Sequence, residues 1–456
     1  MNIPKIVQQQ NKFFNTNSTK EVRLRIETLK KVKYILKENE EELYTAIYTD
    51  FKKSKFETYL TELSLIYNEL NDAIAHLKKW SKQKRVRTNL ANFPAKSYII
   101  PEPLGTVLVI SAWNYPYQIA LIPAISAIAA GNTVVIKPSE IPNNTSKVLA
   151  KLINANFDEN HLCVIEGSVE TTTELLRQKW DKIFFTGSTN VGKVVYKAAA
   201  ENLTPVTLEL GGKSPTFIFN DCDIKLTAKR IVWAKFLNAG QTCIAPDYLL
   251  VEAGVKEKLK IALVEELKRA YPKKSEVQEN YVQIINDKNF QRLINLTPKD
   301  KIYYGGENYV TERMIAPTLL DNITFEDGVM EEEVFGPILP ILSFKNLDEA
   351  IRAVKEREKP LALYIYSKNK KTIKKILHEL SFGGGVINES LVHYSNPHLP
   401  FGGVGASGIG NYHSKAGFDT FTHYKSILHK SFLLEPTIKY MPFTKLKLKI
   451  LKFLIE

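Results

Sequence analysis

The sequence predicts an α/β protein built on a doubly wound parallel sheet, followed by a second α/β unit. Short apolar strands alternate with helical segments from residue 105 onward, and a parallel sheet needs such crossover helices between its strands. A second cycle of strands and helices begins after Gly211-Gly212. The 456 residues are about three times the length of a typical domain, so we expect two or three domains.

The elements are predicted in order from the spacing of apolar residues. Residues 1–80 repeat apolar positions at helical spacing, and residues 83–102 alternate apolar residues with Pro as an extended arm would. Strands are expected at GTVLVISAW, NTVVIKPSE, HLCVIEG, DKIFFTGS and TPVTLELGG, and then at SPTFIF, DYLLVE, APTLLDNI and PILPILSF. Helices are expected at IALIPAISAIAAG, at LTAKRIVWAKFLNAG and over residues 255–270. HLPFGGVGASGIG predicts a loop, and FDTFTHYKSILHK regains the alternation needed to pair with the arm.

The composition is that of an ordinary globular chain. Hydrophobic residues make up 44% and charged residues 24%, which excludes collagen-like, low-complexity and wholly disordered classes. Lys and Arg number 62 against 49 Asp and Glu, a net charge of +13. Glu alternates with Lys in segments such as KKVKYILKENEEEL, so we interpret most of this charge as solvated helix surface. The sequence has no Arg-rich stripe with interleaved aromatic residues, so we predict no nucleic-acid partner.

Cysteine and histidine usage predicts neither disulfides nor a metal site. Cys163, Cys222 and Cys243 are too few for a disulfide framework and too far apart for a CxxC-type metal site. The eight histidines form no HExxH motif. The start, MNIPKIVQQQNKFF, has no signal-peptide apolar region, and the sequence has no run of about 18 uncharged apolar residues. We therefore expect a cytoplasmic protein made in a reducing compartment.

The sharpest chemical signal is the GQTC segment that ends at Cys243, after a predicted helix and a helix-stop signature, NAG. A cysteine on a Gly-flanked loop is a nucleophile when its thiolate is stabilised nearby. The alternative is a buried, inert thiol, which is the commoner state of a free cysteine. We assign that alternative to Cys163 and Cys222, which lie inside or beside apolar strand patterns.

A second signal is DKIFFTGSTNVGKVV, a strand, a loop holding Gly187, Ser188 and Gly192, and a helical run. Backbone amides and a helix N-terminus in this arrangement would hold a phosphate or pyrophosphate. The alternative is a tight strand-to-helix turn. Position 194 is Val, so the hydroxyl of a Walker A motif is missing and a nucleoside triphosphatase is disfavoured. The segment also lacks the G-x-G-x-x-G dinucleotide fingerprint.

Two polar residues stand at the ends of apolar strands. Glu209 ends the strand in TPVTLELGG, and a carboxylate among apolar neighbours has a raised pKa that suits a general base. The alternative is a strand-end carboxylate that faces water. Asn114 follows GTVLVISAW, where its amide would donate to a developing oxyanion, although a lone Asn before a turn is also ordinary turn chemistry.

Taken together with further motifs, these segments resemble the aldehyde dehydrogenase superfamily, and specifically its class 3 branch of fatty and aromatic aldehyde dehydrogenases. The resemblance covers nearly the whole chain. It rests on seven motifs in order: SAWNYP, AGNTVVIKPSE, FFTGSTNVGK, LELGGKSP, NAGQTCIAPDY, EEVFGP and LPFGGVGASGIGNYHSKAGFDTFTH. The class 3 character comes from CIAPDY and from the final motif. One departure is Ser414, near the substrate entrance, where the family usually has Gly.

The resemblance implies NAD(P)-dependent oxidation of medium- or long-chain aliphatic or aromatic aldehydes to carboxylic acids. Cys243 would attack the aldehyde, and Asn114 with the Cys243 backbone N–H would stabilise the thiohemiacetal oxyanion. Glu209 would then activate the water that hydrolyses the thioester. The residues expected to line the apolar substrate pocket are Trp113, Tyr115 and Thr242.

The implied cofactor is NAD, with NADP as the alternative. Glu140 should favour NAD because a carboxylate repels a 2′-phosphate, whereas the nearby Lys137 is able to pair with that phosphate. The cofactor positions carried over from the family are Lys137 and Glu140 for the adenosine ribose, Gly187, Ser188 and Gly192 for the pyrophosphate, and Glu333 and Phe335 for the nicotinamide ribose.

The fold that the resemblance implies is a Rossmann-like cofactor domain, an α/β catalytic domain and a β-arm, assembled as a homodimer. Two other classes of protein remain as alternatives. An inactive relative is disfavoured by the intact set of Cys243, Glu209 and Asn114, and a nucleic-acid binder lacks its basic stripe. The predicted boundaries are residues 1–82 and 103–210 for the NAD(P)-binding domain, 211–390 for the catalytic domain, and 83–102 and 391–430 for the oligomerisation arm.

Residues 431–456 predict a basic amphipathic tail with five Lys against two Glu. Drawn as a helix, Lys445, Lys449 and Lys452 lie within about 60° of one another, and nearly all other positions are apolar, with only Lys447 misplaced. Such a helix suits an anionic membrane surface but is too short and too charged to span a bilayer. The alternative is a helix packed on its own dimer near the substrate entrance. We therefore predict peripheral membrane contact.

Overall fold

A bundle of helices forms the N-terminal part of the chain, as the apolar spacing predicts. The structure is a computed structural model that describes residues 2–272 and 281–455. The second and fifth of these helices pack on a fully buried helix, α6 (Gln118–Ala130), which ends where Gly131 adopts a left-handed φ of 98°. The N-terminal helices are α1 (Ile3–Asn15), α2 (Val22–Glu38), α3 (Glu40–Phe51), α4 (Lys55–Thr58) and α5 (Ser64–Trp80), with a π-helical turn at Tyr59–Leu63.

The first sheet carries the predicted strand–helix alternation. Its six strands lie in the order β17, β7, β6, β3, β4, β5, and all neighbours are parallel except β17, which runs antiparallel to β7. The strands are β3 (Thr106–Ile110), β4 (Thr133–Lys137), β5 (Leu162–Val164), β6 (Lys182–Thr186), β7 (Val206–Glu209) and β17 (Gly408–Ile409), and the crossover helices are α6, α7 (Asn143–Asn156), α8 (Val169–Leu176) and α9 (Thr189–Ala200). The strand order reverses between β3 and β6, so the carboxyl ends of these two strands flank the crevice where open α/β sheets bind ligands.

Both faces of the first sheet are buried, which explains the nearly continuous apolar runs that predict its strands. In β3, Leu108 and Ile110 pack on the face that α1 covers, whereas Val107 and Val109 pack on the opposite face. That second face belongs to the large core that continues into the second sheet. Side chains packed on both faces of the first sheet therefore fix the positions of the carboxyl ends of its strands.

The second sheet has seven strands in the order β10, β13, β14, β9, β8, β15, β16, and every neighbouring pair is parallel except β10 with β13. Residues 273–280 of the predicted catalytic domain lie outside the described residues. The strands are β8 (Pro215–Ile218), β9 (Tyr248–Glu252), β10 (Ile302–Tyr304), β13 (Thr318–Leu320), β14 (Ile338–Phe344), β15 (Ala362–Tyr366) and β16 (Gly384–Ile387). The helices are α10 (Ile224–Phe236), α11 (Lys256–Ala270), α12 (Asp287–Leu296), α13 (Leu347–Lys355) and α14 (Lys370–Glu379), and a small ladder joins β11 (Asn308–Tyr309) to β12 (Met314–Ile315).

A separate antiparallel sheet forms the arm. It consists of β1 (Lys84–Val86), β2 (Ala95–Pro103) and β18 (Thr422–Lys430), and β18 pairs with β2 along its whole length, as the alternation predicts. The rest of the predicted arm segment 391–430 lies elsewhere, since β17 joins the first sheet and α15 (Ser414–Thr420) packs on α5 and α6. The Gly-rich stretch is thus loop except at β17. The domain boundaries themselves remain a prediction.

The chain ends in a helix, α16 (Lys445–Ile455), within the predicted amphipathic tail. The tail helix carries exposed apolar side chains, and its residues Leu454 and Ile455 lie beyond the side chains that the structure describes. Within residues 2–272 and 281–455, we find no helix with the length and apolar character required to cross a membrane.

Candidate active site

Cys243 follows a turn in an unusual backbone conformation. The helix predicted at LTAKRIVWAKFLNAG is α10, which stops at Phe236 just before the predicted stop signature NAG, and the next residues leave the helical region. Asn238, Ala239 and Gly240 are left-handed, with φ values of 53°, 50° and 72°. A Cβ at Gly240 would lie 2.2 Å from the carbonyl oxygen of Gly336, so only glycine fits there. Left-handed residues other than glycine cost about 1–2 kcal/mol each, and contacts around the turn must hold them.

Side-chain amides tie this turn to the loop that carries Asn114. The Asn238 amide donates to the Asn114 carbonyl at 2.9 Å and to the Gln241 carbonyl at 3.1 Å. The Asn114 amide also donates to the Gln241 carbonyl, at 3.1 Å. The Gln241 side chain accepts from the backbone N–H of Ile285 at 3.1 Å. Asn114 and the segment leading to Cys243 therefore form one hydrogen-bonded unit.

Glu209 is a buried carboxyl rather than a strand-end carboxylate that faces water. It ends β7, and the residue is only 3% exposed. Neither of its oxygens has a hydrogen-bond partner among the described residues. Burial raises the pKa of Glu209 well above its usual range, because an unpaired buried carboxylate loses its hydration. Glu209 therefore binds a proton more readily than an exposed glutamate does.

The Cys243 thiol feels the charges of two carboxyl groups, one of which is Glu209. Its side chain is partly exposed, and burial raises its pKa, with further increases from the carboxylates of Glu333 and Glu209. A thiol with a raised pKa stays protonated at neutral pH. Attack on a carbonyl thus requires a nearby group to accept the thiol proton.

A single large cavity brings most of the predicted site residues together. Its volume is about 1170 Å³. The predicted residues that line it are Cys243, Glu209, Asn114, Trp113, Tyr115, Thr242, Gly187, Ser188, Glu333 and Phe335. Lys137, Glu140 and Gly192 do not line this cavity. Residues from both sheets thus converge on one space.

The predicted phosphate loop follows β6 and leads into the N-terminus of α9, as the strand–loop–helix pattern predicts. Ser188 caps the helix by accepting from the Val191 N–H at 3.4 Å. The Thr186 hydroxyl oxygen is buried and has no hydrogen-bond partner in the described part of the chain. Gly192 packs on Leu210, where a Cβ would come within 2.6 Å of that side chain. An unpaired donor beside a helix N-terminus fits a phosphate group.

Lys137 and Glu140 lie at the carboxyl end of β4, next to this crevice. The Lys137 amine is 3.6 Å from the Glu140 carboxylate and donates to the Pro138 carbonyl at 2.7 Å. Burial lowers the pKa of Lys137, and the Glu140 charge opposes that shift. The pair presents one positive and one negative group at the same edge of the sheet. These residues, with the α9 N-terminus and the Thr186 hydroxyl, fit a dinucleotide.

Glu333 closes the cavity from the second sheet. Its carboxylate accepts from the Gly212 N–H at 3.2 Å, and a Cβ at Gly211 would lie 2.1 Å from the same oxygen. The two glycines therefore allow the carboxylate to approach the backbone. Burial and the neighbouring Asp247 charge raise the pKa of Glu333 to about 8.

Sequence reasoning missed a buried lysine close to this carboxylate. Lys235 is fully buried on α10, its amine has no hydrogen-bond partner among the described residues, and burial lowers its pKa to about 8. The Glu333 and Asp247 charges oppose that shift. The spacing of residues in the sequence did indicate a buried position. Lys235 follows the buried residues Ala228 and Ile231 by seven and four positions, and this spacing places it on the apolar face of the helix.

The part of the cavity next to Trp113 and Tyr115 is mostly aromatic and aliphatic. The Tyr115 hydroxyl lies 2.6 Å from the Thr242 hydroxyl, and the Trp113 ring contacts Phe335 edge-on at 5.4 Å. Further lining residues come from distant segments. Phe401 and Tyr412 belong to the last of the seven quoted motifs, whereas the sequence offered no local signal for Leu60, Leu65, Trp233, Leu391 and Tyr394.

Ser414 keeps the backbone conformation that a glycine favours. Its φ is 49°, and its N–H donates to the buried Glu69 carboxylate at 2.8 Å, while its hydroxyl donates to Asp72. Two carboxylates thus stabilise a left-handed serine at the position where the resembling family usually has Gly. The backbone at Ser414 therefore keeps the left-handed conformation although the residue is not glycine.

Comparison with known proteins agrees with this geometry. The family model described as aldehyde dehydrogenase family matches residues 1–427. The chain is 49% identical over 442 residues to 4,4'-diaponeurosporen-aldehyde dehydrogenase of Staphylococcus aureus, covering 96% of each chain. It is 45% identical over 444 residues to aldehyde dehydrogenase family 3 member A2 of Pongo abelii, covering 97% of this chain and 92% of that one.

Two further matches agree with these. The chain is 44% identical over 430 residues to a Mus musculus protein named aldehyde dehydrogenase, dimeric NADP-preferring, covering 94% of this chain and 95% of that one. The solved structure described as the substrate bound state of Staphylococcus aureus AldH superposes with a TM-score of 0.98 at 47% identity, covering 100% of both chains.

Proposed function

Because the chain belongs to the aldehyde dehydrogenase family, we propose that it oxidises medium- and long-chain aliphatic or aromatic aldehydes to carboxylic acids. NAD(P)-dependent aldehyde oxidation is the activity of the family, and its class 3 members are among the relatives of this chain. The observation that carries the proposal is the single cavity that joins Cys243, Asn114 and Glu209 to apolar walls.

In the proposed reaction the Cys243 thiol loses its proton to water, and the sulfur attacks the aldehyde carbon, forming a carbon–sulfur bond and placing negative charge on the aldehyde oxygen. The Asn114 amide has two N–H donors, and one of them is used by the Gln241 carbonyl. The other N–H, together with the Cys243 backbone N–H, is available for the oxyanion. Fixed donors aimed at a developing charge are worth about 10²–10³ in rate each.

Glu209 completes the proposed cycle. A bound NAD(P) would supply the acceptor for a hydride from the carbon attached to Cys243, and loss of that hydride leaves a thioester. Glu209 then takes a proton from the water that attacks this thioester, and the carbon–sulfur bond breaks. A carboxyl whose pKa is raised by burial is a stronger base than an exposed one.

The proposed cofactor site uses the crevice between β3 and β6. The loop at Gly187 and Ser188 and the α9 N-terminus would hold the pyrophosphate, because backbone N–H groups and the helix dipole favour negative charge. Lys137 and Glu140 would bind the adenosine ribose. Glu333 and Phe335, which line the cavity, would contact the nicotinamide ribose. NAD and NADP are both cofactors of the relatives.

A panel of saturated aldehydes of increasing chain length tests the proposed substrate class. We expect kcat/KM to rise about fourfold for each added methylene until the apolar walls are covered, because each buried methylene contributes about 0.8 kcal/mol. The measurement is steady-state cofactor reduction, with NAD and NADP assayed separately, and reactions without aldehyde serve as the blank. A rate that is independent of chain length, or highest for the shortest aldehyde, would contradict the proposal.

We also propose that the chain forms a homodimer through its arm. The arm sheet has β1 and β18 as its outer strands, and an outer strand offers unpaired backbone groups to a second chain. Two apolar side chains next to the arm, Leu90 and Phe93, are exposed. The Mus musculus relative is named as dimeric, which supports the same assembly here.

The tail supports the proposal of peripheral membrane contact. Leu446, Leu448 and Phe453 of α16 are exposed, and so are Phe432 and Phe443 in the segment that leads to it. Exposed apolar side chains on a helix that carries four lysines are typical of segments that lie on anionic bilayers. Each lysine near such a surface contributes about 1 kcal/mol, and salt screens that attraction.

Co-sedimentation with anionic liposomes tests this role of the tail. We expect the full chain to sediment with the vesicles at low salt and to be released as salt is raised, and we expect a chain ending at Pro436 to stay in the supernatant. Zwitterionic vesicles serve as the control for the electrostatic component. Equal binding by the two chains would remove the tail from membrane contact, and binding by neither chain would favour a tail that packs on the dimer.

A further inference from the structure

Three charged side chains within residues 53–62 contact the loops that carry Asn114 and Cys243. Lys53 and Glu62 are both 0% exposed, and the Lys53 amine is 3.2 Å from the Glu62 carboxylate. Glu57, on α4 between them in sequence, is partly buried. A buried ion pair contributes little net stability, because desolvation offsets the attraction between the charges. Global stability is therefore a poor explanation for this cluster.

Glu57 contacts the turn that precedes Cys243. Its carboxylate accepts from the Asn238 backbone N–H at 2.7 Å. Since Asn238 is left-handed and lies beyond the end of α10, its N–H has turned away from the carbonyl that would accept it in a continuing helix. Glu57 supplies that acceptor from another part of the chain, and hydrogen bonds to carboxylates are among the stronger ones in proteins.

The other two charges contact the opposite wall of the site. Glu62 accepts from the backbone N–H groups of Tyr117 and Gln118, at 2.8 and 3.2 Å, where α6 begins. The Lys53 amine lies 4.5 Å from the centre of the Tyr115 ring. Tyr115 is bonded in turn to the Thr242 hydroxyl at 2.6 Å, next to Cys243. The cluster therefore touches both the loop that carries Asn114 and the loop that carries Cys243.

We propose that Glu57 is a positioning residue that sets the Cys243 loop against Asn114, with the Lys53–Glu62 pair fixing the opposite wall. The inference rests on the proposed role of Cys243 as the nucleophile. Glu57 touches no reacting atom and acts through the Asn238 N–H. Misplacement of a reacting group by about 1 Å costs about 100-fold in rate, so the hydrogen bond matters beyond its own strength.

The test compares Glu57→Ala with Glu57→Gln. The first removes the acceptor, whereas the second keeps a carbonyl oxygen of the same reach and loses only the charge. We expect Glu57→Ala to lower kcat and the rate of Cys243 alkylation by iodoacetamide between about 10-fold and about 100-fold, with KM for NAD unchanged. Glu57→Gln should stay within about fivefold of the unmodified chain, because a neutral hydrogen bond is weaker by about 1 kcal/mol.

Alkylation is read by mass spectrometry of the Cys243 peptide, with Cys222, which does not line the cavity, as the internal reference. Glu41→Ala is the matched control, since Glu41 is an exposed glutamate that pairs with Lys55. A residue needed only for folding would lower the melting temperature without changing Cys243 alkylation in the folded enzyme. If Glu57→Ala does not fold, Glu57→Asp, which is too short to reach the Asn238 N–H, replaces it with the same expectation.

The inference is overturned if the variant that lacks the bond alkylates Cys243 and turns over at the unmodified rates, or if Glu57→Gln loses as much as Glu57→Ala. Failure of the proposed function has a different signature. In that case Cys243→Ala would retain aldehyde oxidation, while the alkylation rates would still report how Glu57 places the Cys243 loop.

Discussion

We expect Cys243→Ala to abolish aldehyde oxidation while the fold and the binding of NAD stay intact. The substitution removes the sulfur that forms the covalent intermediate, and loss of a nucleophile in comparable enzymes lowers the rate by about 10⁶-fold. We expect turnover to fall at least about 10⁴-fold. The small alanine side chain fits the partly exposed position, so stability should change little. NADH production measures turnover, and calorimetry with NAD measures binding.

Cys222→Ala is the control for this substitution. Cys222 is also a partly exposed free cysteine, but it does not line the cavity. Turnover by Cys222→Ala should therefore equal that of the unmodified chain. Substantial residual oxidation by Cys243→Ala would remove Cys243 from the mechanism.

Glu209→Gln separates the two halves of the reaction. Because hydride transfer precedes hydrolysis of the thioester, we expect a burst of NADH close to one per site and then steady turnover slower by about 10²–10⁴-fold, the usual contribution of a general base. Stopped-flow mixing measures both phases. Since burial raises the pKa of Glu209, turnover by the unmodified chain should fall as pH drops through that raised pKa. The Gln variant should lack this dependence.

An external nucleophile is the matched control for Glu209. Hydroxylamine attacks thioesters without needing a base, so it should restore turnover to Glu209→Gln and add little to the unmodified chain. Equal losses in the burst and in the steady phase would mean that Glu209 acts before the thioester forms, or that its role is structural.

The sequence predicted the strands well where burial imposes a pattern. β3 and β4 are buried on both faces, so their apolar runs stand out from the helices around them. The left-handed conformation of Asn238 and Ala239 was harder to predict than the helix stop itself, because it depends on contacts from distant segments such as Glu57. Tertiary contacts there override the local preference for helix.

The sequence predicted the residues of the candidate site that belong to local motifs, and it missed those whose place depends on tertiary contacts. Cys243, Asn114 and Glu209 belong to local motifs, and the structure brings them to one cavity, whereas Leu60 and Leu65 reach that cavity only through tertiary packing. The complete burial of Glu209 was also beyond the sequence, because it depends on how β17 and β6 flank β7. Lys235 carried a helical-spacing signal, but no motif drew attention to it.

The pairing of β17 with β7 has a consequence for how the enzyme is made. Gly408 stands opposite Glu209, and the Leu210 N–H donates to the Ser407 carbonyl at 3.1 Å. Strand β7, which carries Glu209, therefore pairs with β17 only after the ribosome has made a segment much later in the chain. A nascent chain that has reached residue 400 presents β7 as a bare sheet edge, which invites pairing with other chains. Activity therefore emerges only after residues 408–409 have been made, and until then the growing chain exposes a sheet edge with which other chains can pair.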